Sequence, residues 1–321
     1  MPHLPRIEAG NLTNFTSTRS CRNQLWFTCD HVLEEAVLGH LAICSERYNV
    51  KHYAFAMEGT HKHELVDYPE CNRASFQRDF NSAVTRAIKR RYPQKLKGGG
   101  PVWRARYSNE FVARNEDIEN EFFYTVLQPV QDGLVESIRK YPGYNCFEDA
   151  IHGRERAYSV VDWAKYNAEK RWKKNINIAD YTTTHILQYA RLPGYEELPQ
   201  EEYVRIMRRK LRERTKQLVN ARRKAGKGFL GVEKLQAIIP GSQSKNSKES
   251  TRWHFRPRII CGCPKTSAIY LNWYFSILKD YWDASYSYRN VEGCSPSFPP
   301  GTYLPPKFTV KYCVTSQDLA A

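Results

Sequence analysis

Two hydrophobic periods alternate along the first half of the chain. Asn14 to Thr28 reads as a strand region ending in Leu25-Trp26-Phe27. Asp30 stands where it can cap a helix in which Val32, Leu33, Ala36, Val37, Leu41 and Ile43 recur near helical spacing, as far as about Tyr48. Val50 to Met57 predicts a strand, Glu58-Gly59-Thr60 a turn, and His61 to Tyr68 a second strand, so the two form a hairpin. A helix follows from about Ala74 to Tyr92, with Phe76, Phe80, Val84, Ala87 and Ile88 on its apolar stripe. Gly98-Gly99-Gly100 breaks the chain before a strand over Val102 to Ala113. Asn115 is placed to cap a last helix whose Ile118, Phe122 and Val126 pack inward, and Pro129 ends it. Strand, helix, hairpin, helix, strand, helix predicts an α+β fold, a small antiparallel sheet with helices packed against it.

The second half changes character, and a boundary is expected near Gly153. A chain of 321 residues has room for two domains, since one core seldom grows beyond roughly 250 residues. The expected division is 1–153 and a mainly helical accessory region, 154–321. Glu201 to Lys227 has a long helical pattern with Val204, Met207, Leu211 and Leu218 on one side. Gly241 to Ser250 reads as a polar loop, Ser267 to Tyr288 as a helix rich in Tyr and Trp, and Phe308 to Cys313 as a short strand.

Composition is that of a globular chain, 41% hydrophobic and 26% charged. No apolar run approaches the roughly 20 residues that span a bilayer, and Met1 to Arg6 lacks the apolar core of a secretory signal, so a cytoplasmic, nucleoid-associated protein is expected. Nine cysteines are scattered without a framework spacing. Cys261-Gly262-Cys263 with Cys294 and Cys313 lacks the two-residue gap usual between paired zinc ligands, which argues for buried thiols in a reducing compartment.

Charge alters the picture more. Lys and Arg exceed Asp and Glu by 49 − 34 = 15, which favours a polyanionic partner. The excess is clustered. Arg86, Lys89, Arg90 and Arg91 end the second helix, Arg104 and Arg106 lie in the strand after the glycines, and Arg208, Arg209 and Arg212 crowd the long helix. That helix has few acidic partners in i,i+4 register, so phosphate contacts are expected of it.

The candidate chemistry lies in His61-Lys62-His63 and in Tyr124 with Gln128. Two imidazoles two residues apart on a strand point to the same side of a sheet. Tyr124 and Gln128 share a helix face away from the Ile118, Phe122, Val126 stripe, with Glu121 nearby. If helix and strand meet, two nitrogens and an amide oxygen can hold a divalent metal, magnesium or manganese, beside a phenol. A phenol has a pKa near 10, so it attacks phosphorus well at neutral pH only with a metal or base to favour the phenolate.

Three segments carry a resemblance to a known family. They are Tyr53-Ala54-Phe55-Ala56-Met57 leading to His61-Lys62-His63, then Val102-Trp103-Arg104-Ala105-Arg106-Tyr107, then Phe123-Tyr124-Thr125-Val126-Leu127-Gln128-Pro129-Val130-Gln131-Asp132-Gly133-Leu134-Val135. In order and spacing, over about residues 12 to 153, the chain resembles the REP-associated tyrosine transposases, single-tyrosine HUH endonucleases. The resemblance implies a ferredoxin-like catalytic domain, His61 and His63 as metal ligands with Gln128 as the third, and Tyr124 as nucleophile. It also implies a single-stranded DNA hairpin as partner, cut through a 5′-phosphotyrosine by a monomer or homodimer. Trp103 and Arg106 match the family's Trp and Arg in the strand after the glycine loop.

Three positions depart from the pattern. Lys62 and Glu64 stand where the family commonly has apolar residues, and Glu58-Gly59-Thr60 replaces a shorter turn. Lys62 and Glu64 either pair with each other across one strand face or mark a face that is less covered, because an unpaired buried lysine costs several kcal/mol. They motivate an alternative function, a hairpin-binding protein impaired in cleavage. A zinc hydrolase or deaminase is disfavoured, since the chain has no H-E-x-x-H and no P-C-x-x-C after an H-x-E.

Overall fold

The computed structural model describes residues 6–97, 99–244 and 258–305. Its first half runs β1 (Thr13–Arg19), α1 (His31–Tyr48), β2 (Lys51–Glu58), β3 (His61–Asp67), α2 (Arg73–Arg91), β4 (Ser108–Val112), α3 (Asn115–Val126), α4 (Gln128–Gln131) and α5 (Phe147–His152). There follow β5 (Arg156–Val161), α6 (Trp163–Glu169), β6 (Thr182–Leu187), α7 (Gln200–Lys224), α8 (Val232–Gln236), β7 (Ile259–Ile260) and α9 (Pro264–Asn290). The fold is α+β, with long helices dominating the C-terminal part. β1 pairs with both β3 and β4, so the main sheet is ordered β2-β3-β1-β4, each pair antiparallel, as in ferredoxin-like folds. β7 pairs parallel to β4 and makes the five-stranded sheet mixed rather than wholly antiparallel. A run of two residues carries too little period to announce a strand.

Several local expectations hold. Asp30 caps α1 by accepting from the backbone N–H groups of Val32 (3.0 Å) and Leu33 (3.4 Å). Gly59 turns the β2–β3 hairpin at φ +52°, where a Cβ would come within 3.2 Å of Leu25. Gly39 lets α1 approach β5 so closely that a Cβ would meet Val160 at 2.6 Å.

Others need correction. The strand predicted from Asn14 to Thr28 stops at Arg19, and the one predicted from Val102 begins only at Ser108. β1 ends just before Arg22 and Asn23, which adopt left-handed backbone angles (φ 53° and 52°); β4 starts late because residues 105–107 leave the ladder, although the Arg104 N–H still donates to the Arg19 carbonyl (2.9 Å). Trp103 is left bridging Ser20, with its indole N–H donating to the Asn81 carbonyl (3.1 Å). Asn115 opens α3 but does not cap it. Arg114 occupies the cap position, without a capping side chain, and pairs with Asp117 (2.8 Å). The polar loop falls partly, and the strand at Phe308 to Cys313 wholly, outside the described residues.

Side chains on the two faces of β3 have opposite fates. Leu65 joins His61 and His63 on the face covered by α3, while Lys62, Glu64 and Val66 face α2. Lys62 and Glu64 are fully buried there and ion-paired. Gln77 of α2 donates to the second Glu64 oxygen (2.6 Å) and to the Tyr68 hydroxyl (3.1 Å), and accepts from Lys62 Nζ (3.4 Å). The Lys62 ammonium also lies 4.6 Å from the Phe80 ring centroid. Burial lowers its pKa and the Glu64 carboxylate opposes that shift. Of the two readings left open by the sequence, the pair is the one found, on a covered face. Further apolar cover reaches the same buried cluster from Leu187, Tyr189, Leu192, Tyr203, Val204 and Met207. Among the described residues no helix is long and apolar enough to cross a membrane.

Removing one member of this pair strands the other. Lys62→Met is expected to cost about 3–5 kcal/mol of unfolding free energy, and Lys62→Met with Glu64→Leu clearly less. Urea denaturation of the two variants reads the order; a double variant weaker than Lys62→Met would show that the pair is not what stabilises this face.

Candidate active site

β3 delivers His61 and His63 to one face, with their ring centroids 4.8 Å apart and the rings at 87°. Phe15 of β1 stacks on His63 (5.1 Å, 12°). Tyr124, midway along α3, stands edge-on to both His63 and Phe15, each at 5.7 Å between centroids. The apolar stripe of α3 explains its position. Ile118, Phe122 and Val126 are buried, and Tyr124, off that stripe, remains 40% exposed.

Gln128 reaches the same point by a different route from the one its spacing suggests. α3 ends at Val126, Leu127 departs from helical geometry (φ −91°, ψ 3°), and Gln128 begins α4. Pro129 forces this break, since it has no N–H to offer the Thr125 carbonyl. Even so, the Gln128 amide nitrogen contacts His61 Nε2. His61 Nδ1 lies 3.3 Å from the Thr60 hydroxyl. With Nδ1 protonated toward Thr60, the Nε2 lone pair faces the Gln128 amide. Burial lowers the His61 pKa, Asp132 opposes that and Arg19 adds to it, so the ring is neutral at neutral pH, the form a metal needs. The Gln128 carboxamide oxygen is buried with no hydrogen-bond partner among the described residues. A half-turn of the amide exchanges that oxygen for the nitrogen beside His61. Two imidazoles and one unsatisfied amide oxygen therefore fit a divalent cation. Among the described residues no group of three His, Cys, Asp or Glu side chains could hold one, and Cys261, Cys263 and Cys294 are free thiols, with Cys313 outside the described residues.

Carboxyl groups flank the imidazoles and the phenol. Glu58, cross-strand partner of His61, is buried, and its pKa is pushed well above the usual range by burial and then by Asp132. Asp132 follows Gln128 by four residues, a spacing that was available in the sequence. The Glu58 pairing required the hairpin register to be known. Glu121, one turn before Tyr124, is pushed up to about 7 by burial, then by the charges of Glu110 and Asp117.

The basic residues expected to meet nucleic acid are dispersed. Arg91 pairs with Asp30 (2.6 Å) and Arg90 lies over the Trp163 ring (4.6 Å), while Arg86 and Lys89 are exposed on the same helix end. Arg104 and Arg106 are exposed before β4. On α7, Arg208 is tied to Glu148 (2.6 Å), whereas Arg209 and Arg212 are exposed and make no ion pair among the described residues. α7 crosses beside α3, with Lys210 on Glu119 (2.7 Å) and the Arg214 guanidinium over Phe123 (4.6 Å). Of the tryptophans on α9, Trp273 meets Phe111 edge-on (5.8 Å) and Trp282 is exposed.

No protein-family model matches this chain, and no curated protein matches it. Seven solved chains are similar to it, two of them as follows. One is the structure of the REP-associated tyrosine transposase bound to a REP hairpin, at a TM-score of 0.40 and 18% identity, covering 48% of this chain and 87% of that one. The other is a protein described as a transposase from Deinococcus radiodurans R1, at a TM-score of 0.28 and 16% identity, covering 35% of this chain and 88% of that one.

Glu121 gives the site a measurable pH signature. Its folded value of about 7 against an ordinary 4.5 means the folded chain keeps a proton the unfolded chain has lost, so stability falls as pH rises through that window. Glu121→Gln is expected to match wild type near pH 4 and to exceed it by about 1 kcal/mol at pH 8, water screening part of the effect. Urea midpoints at the two pH values check it, and a wild type more stable than the variant at pH 8 contradicts it.

Proposed function

We propose that the chain is a metal-dependent single-strand DNA endonuclease and strand transferase that works through Tyr124. The observation that carries this reading is the meeting of Tyr124, His63, His61 and Gln128, drawn from a strand and two helices, around one point. The Tyr124 oxygen attacks a backbone phosphorus and forms a new P–O bond. The bond from phosphorus to the 3′ oxygen breaks, and that oxygen takes a proton. The products are a 5′-phosphotyrosine and a free 3′-hydroxyl. One phosphodiester replaces another, so the step reverses readily and permits strand transfer.

His61, His63 and Gln128 would hold Mg²⁺ or Mn²⁺, which supplies charge neutralisation at the phosphate. Phe15 fixes the plane of His63 by stacking. The Glu121 carboxyl, near Tyr124 on α3 and poised close to neutral pH, is suited to take the phenolic proton. The substrate we propose is a DNA hairpin with a single-stranded flank, as the sequence resemblance implies. Exposed Arg86, Lys89, Arg209 and Arg212 suit the phosphates of its stem. On this reading residues 1–153 carry the chemistry and the region beyond them grips the substrate. The rival reading, a hairpin-binding protein impaired in cleavage, drew on Lys62 and Glu64. Both point away from the histidines and are paired, so they do not disturb the ligand side chains.

With hairpin oligonucleotides and Mn²⁺, wild type is expected to give a covalent protein–DNA band in denaturing gels. Tyr124→Phe should abolish the band, His61→Ala or EDTA should reduce it at least a hundredfold, and all should leave hairpin binding within a few-fold. Strong hairpin binding without any covalent band from wild type would favour the rival.

A further inference from the structure

We propose that a cavity beneath the start of β4, apart from the candidate active site, is a binding site for a phosphate group. The cavity has a volume of about 260 Å³ and is lined by Arg6, Arg73, Arg106 and Arg258 together with Tyr107 and Tyr274, with no carboxylate in its lining. No sequence motif announces it, because its arginines come from four separate segments.

Three of the four guanidiniums have distinct roles. Arg73 is almost wholly buried and immobile, donating to the Asn14 side chain (2.7 Å), the Ile7 carbonyl (2.6 Å) and the Tyr107 hydroxyl (3.4 Å). It sets a fixed positive floor. Arg6 stacks on the Tyr107 ring at 3.5 Å and donates to the Tyr107 carbonyl (2.9 Å), leaving other N–H groups available. Arg106 stands exposed at the rim and makes no side-chain hydrogen bond or ion pair among the described residues. Glu8, two residues from Arg6, accepts from the backbone N–H groups of Arg73 and Ala74 at the start of α2 (2.9 and 2.8 Å) and from the Tyr303 hydroxyl (2.8 Å). Like charges held together in a partly dry cavity repel, and Arg6 is lowered by burial and by Arg106 and Arg73, against a favourable contribution from Tyr107. A bound dianion removes that repulsion, and planar N–H forks match its oxygens.

The position of the cavity links it to the candidate active site. Ser108, in its lining, shares a 2.7 Å hydroxyl contact with Ser17, which pairs across β1 with His63. The cavity rim is thus two strand spacings, about 10 Å, from the histidine pair. The cavity itself opens on the α2 face, since Arg73 of α2 holds Asn14, the cross-strand partner of Val66, so a strand phosphate would reach it only around the β4 edge of the sheet; this use, unlike the anion site itself, rests on the function proposed above.

The test uses the full chain and inorganic phosphate, titrated by calorimetry at constant ionic strength against chloride. Wild type should bind phosphate, Arg106→Ala should weaken it at least fivefold with an unchanged melting temperature, and Lys279→Ala, at an exposed position of α9 outside the lining, should not change it. No binding by wild type beyond the chloride control, or equal binding by Arg106→Ala, overturns the proposal. A single-stranded oligonucleotide that displaces phosphate identifies a strand phosphate as the natural occupant. Phosphate held undisturbed by the oligonucleotide identifies a free anion. Tyr124→Phe should bind phosphate as wild type does, so loss of nicking with intact phosphate binding refutes the nickase reading alone.

Discussion

The candidate site depends on one constraint, the period-two alternation of β3. Because side chains alternate, the register that places His61 and His63 toward α3 also drives Lys62 and Glu64 into the layer beneath α2. A slip by one residue would exchange the faces, burying imidazoles against Phe76 and Phe80 and setting an ammonium beside Tyr124. Burial of an ion pair is a weak source of net stability, but it penalises every register in which the pair is broken. Gln77 sharpens that penalty by donating to the second Glu64 oxygen, and the same amide donates to the Tyr68 hydroxyl. The polar pair so tells against the wrong face, where apolar residues would tolerate either.

A second constraint acts from the helix side. An uninterrupted α3 would carry Gln128 one straight turn beyond Tyr124. Pro129 instead stops the helix at Val126 and restarts it at Gln128, which is buried while Tyr124 is not. On the function proposed above, the break separates two requirements. A ligand benefits from a dry, fixed setting that keeps its amide oxygen unsatisfied, and a nucleophile has to be reached by a long polymer. One rigid helix face could not easily supply both.

Elements with a long period were legible in the sequence. The Asp30 cap, the hairpin through Gly59, the apolar stripe that left Tyr124 exposed, and the extents of α1, α2 and α7 all follow from local rules about neighbours three or four residues apart. What escaped the sequence is non-local. The early end of β1 goes with left-handed Arg22 and Asn23; asparagine favours that geometry, but arginine does not, and the pair does not announce it. β7 is too short to have a period, and the Glu58–Asp132 meeting joins a strand end to a loop after α4. Charge was the most misleading signal, because counting cations along α7 could not reveal that Arg205, Arg208, Lys210, Arg214 and Arg223 are consumed by acids from α3, α5, their own helix and the segment between.

That consumption clarifies what α7 does. Its acid-paired side chains fasten it to α3 through Glu119 and to α5 through Glu148, and Tyr203, Val204 and Met207 sink into the common core. The helix therefore braces the element that carries Tyr124, while Arg209, Arg212 and Lys216 face outward with their charge uncompensated among the described residues. A polyanion drawn to the outward row would be held by the same rigid body that positions the phenol. Exposure differs across the candidate site: Gln128 (3%) and His63 (7%) are buried, His61 is partly exposed and Tyr124 is 40% exposed. On the function proposed above, a substrate would approach from the exposed, phenol side, and its phosphate would meet the imidazoles only as water is displaced, where a charge interaction is strongest.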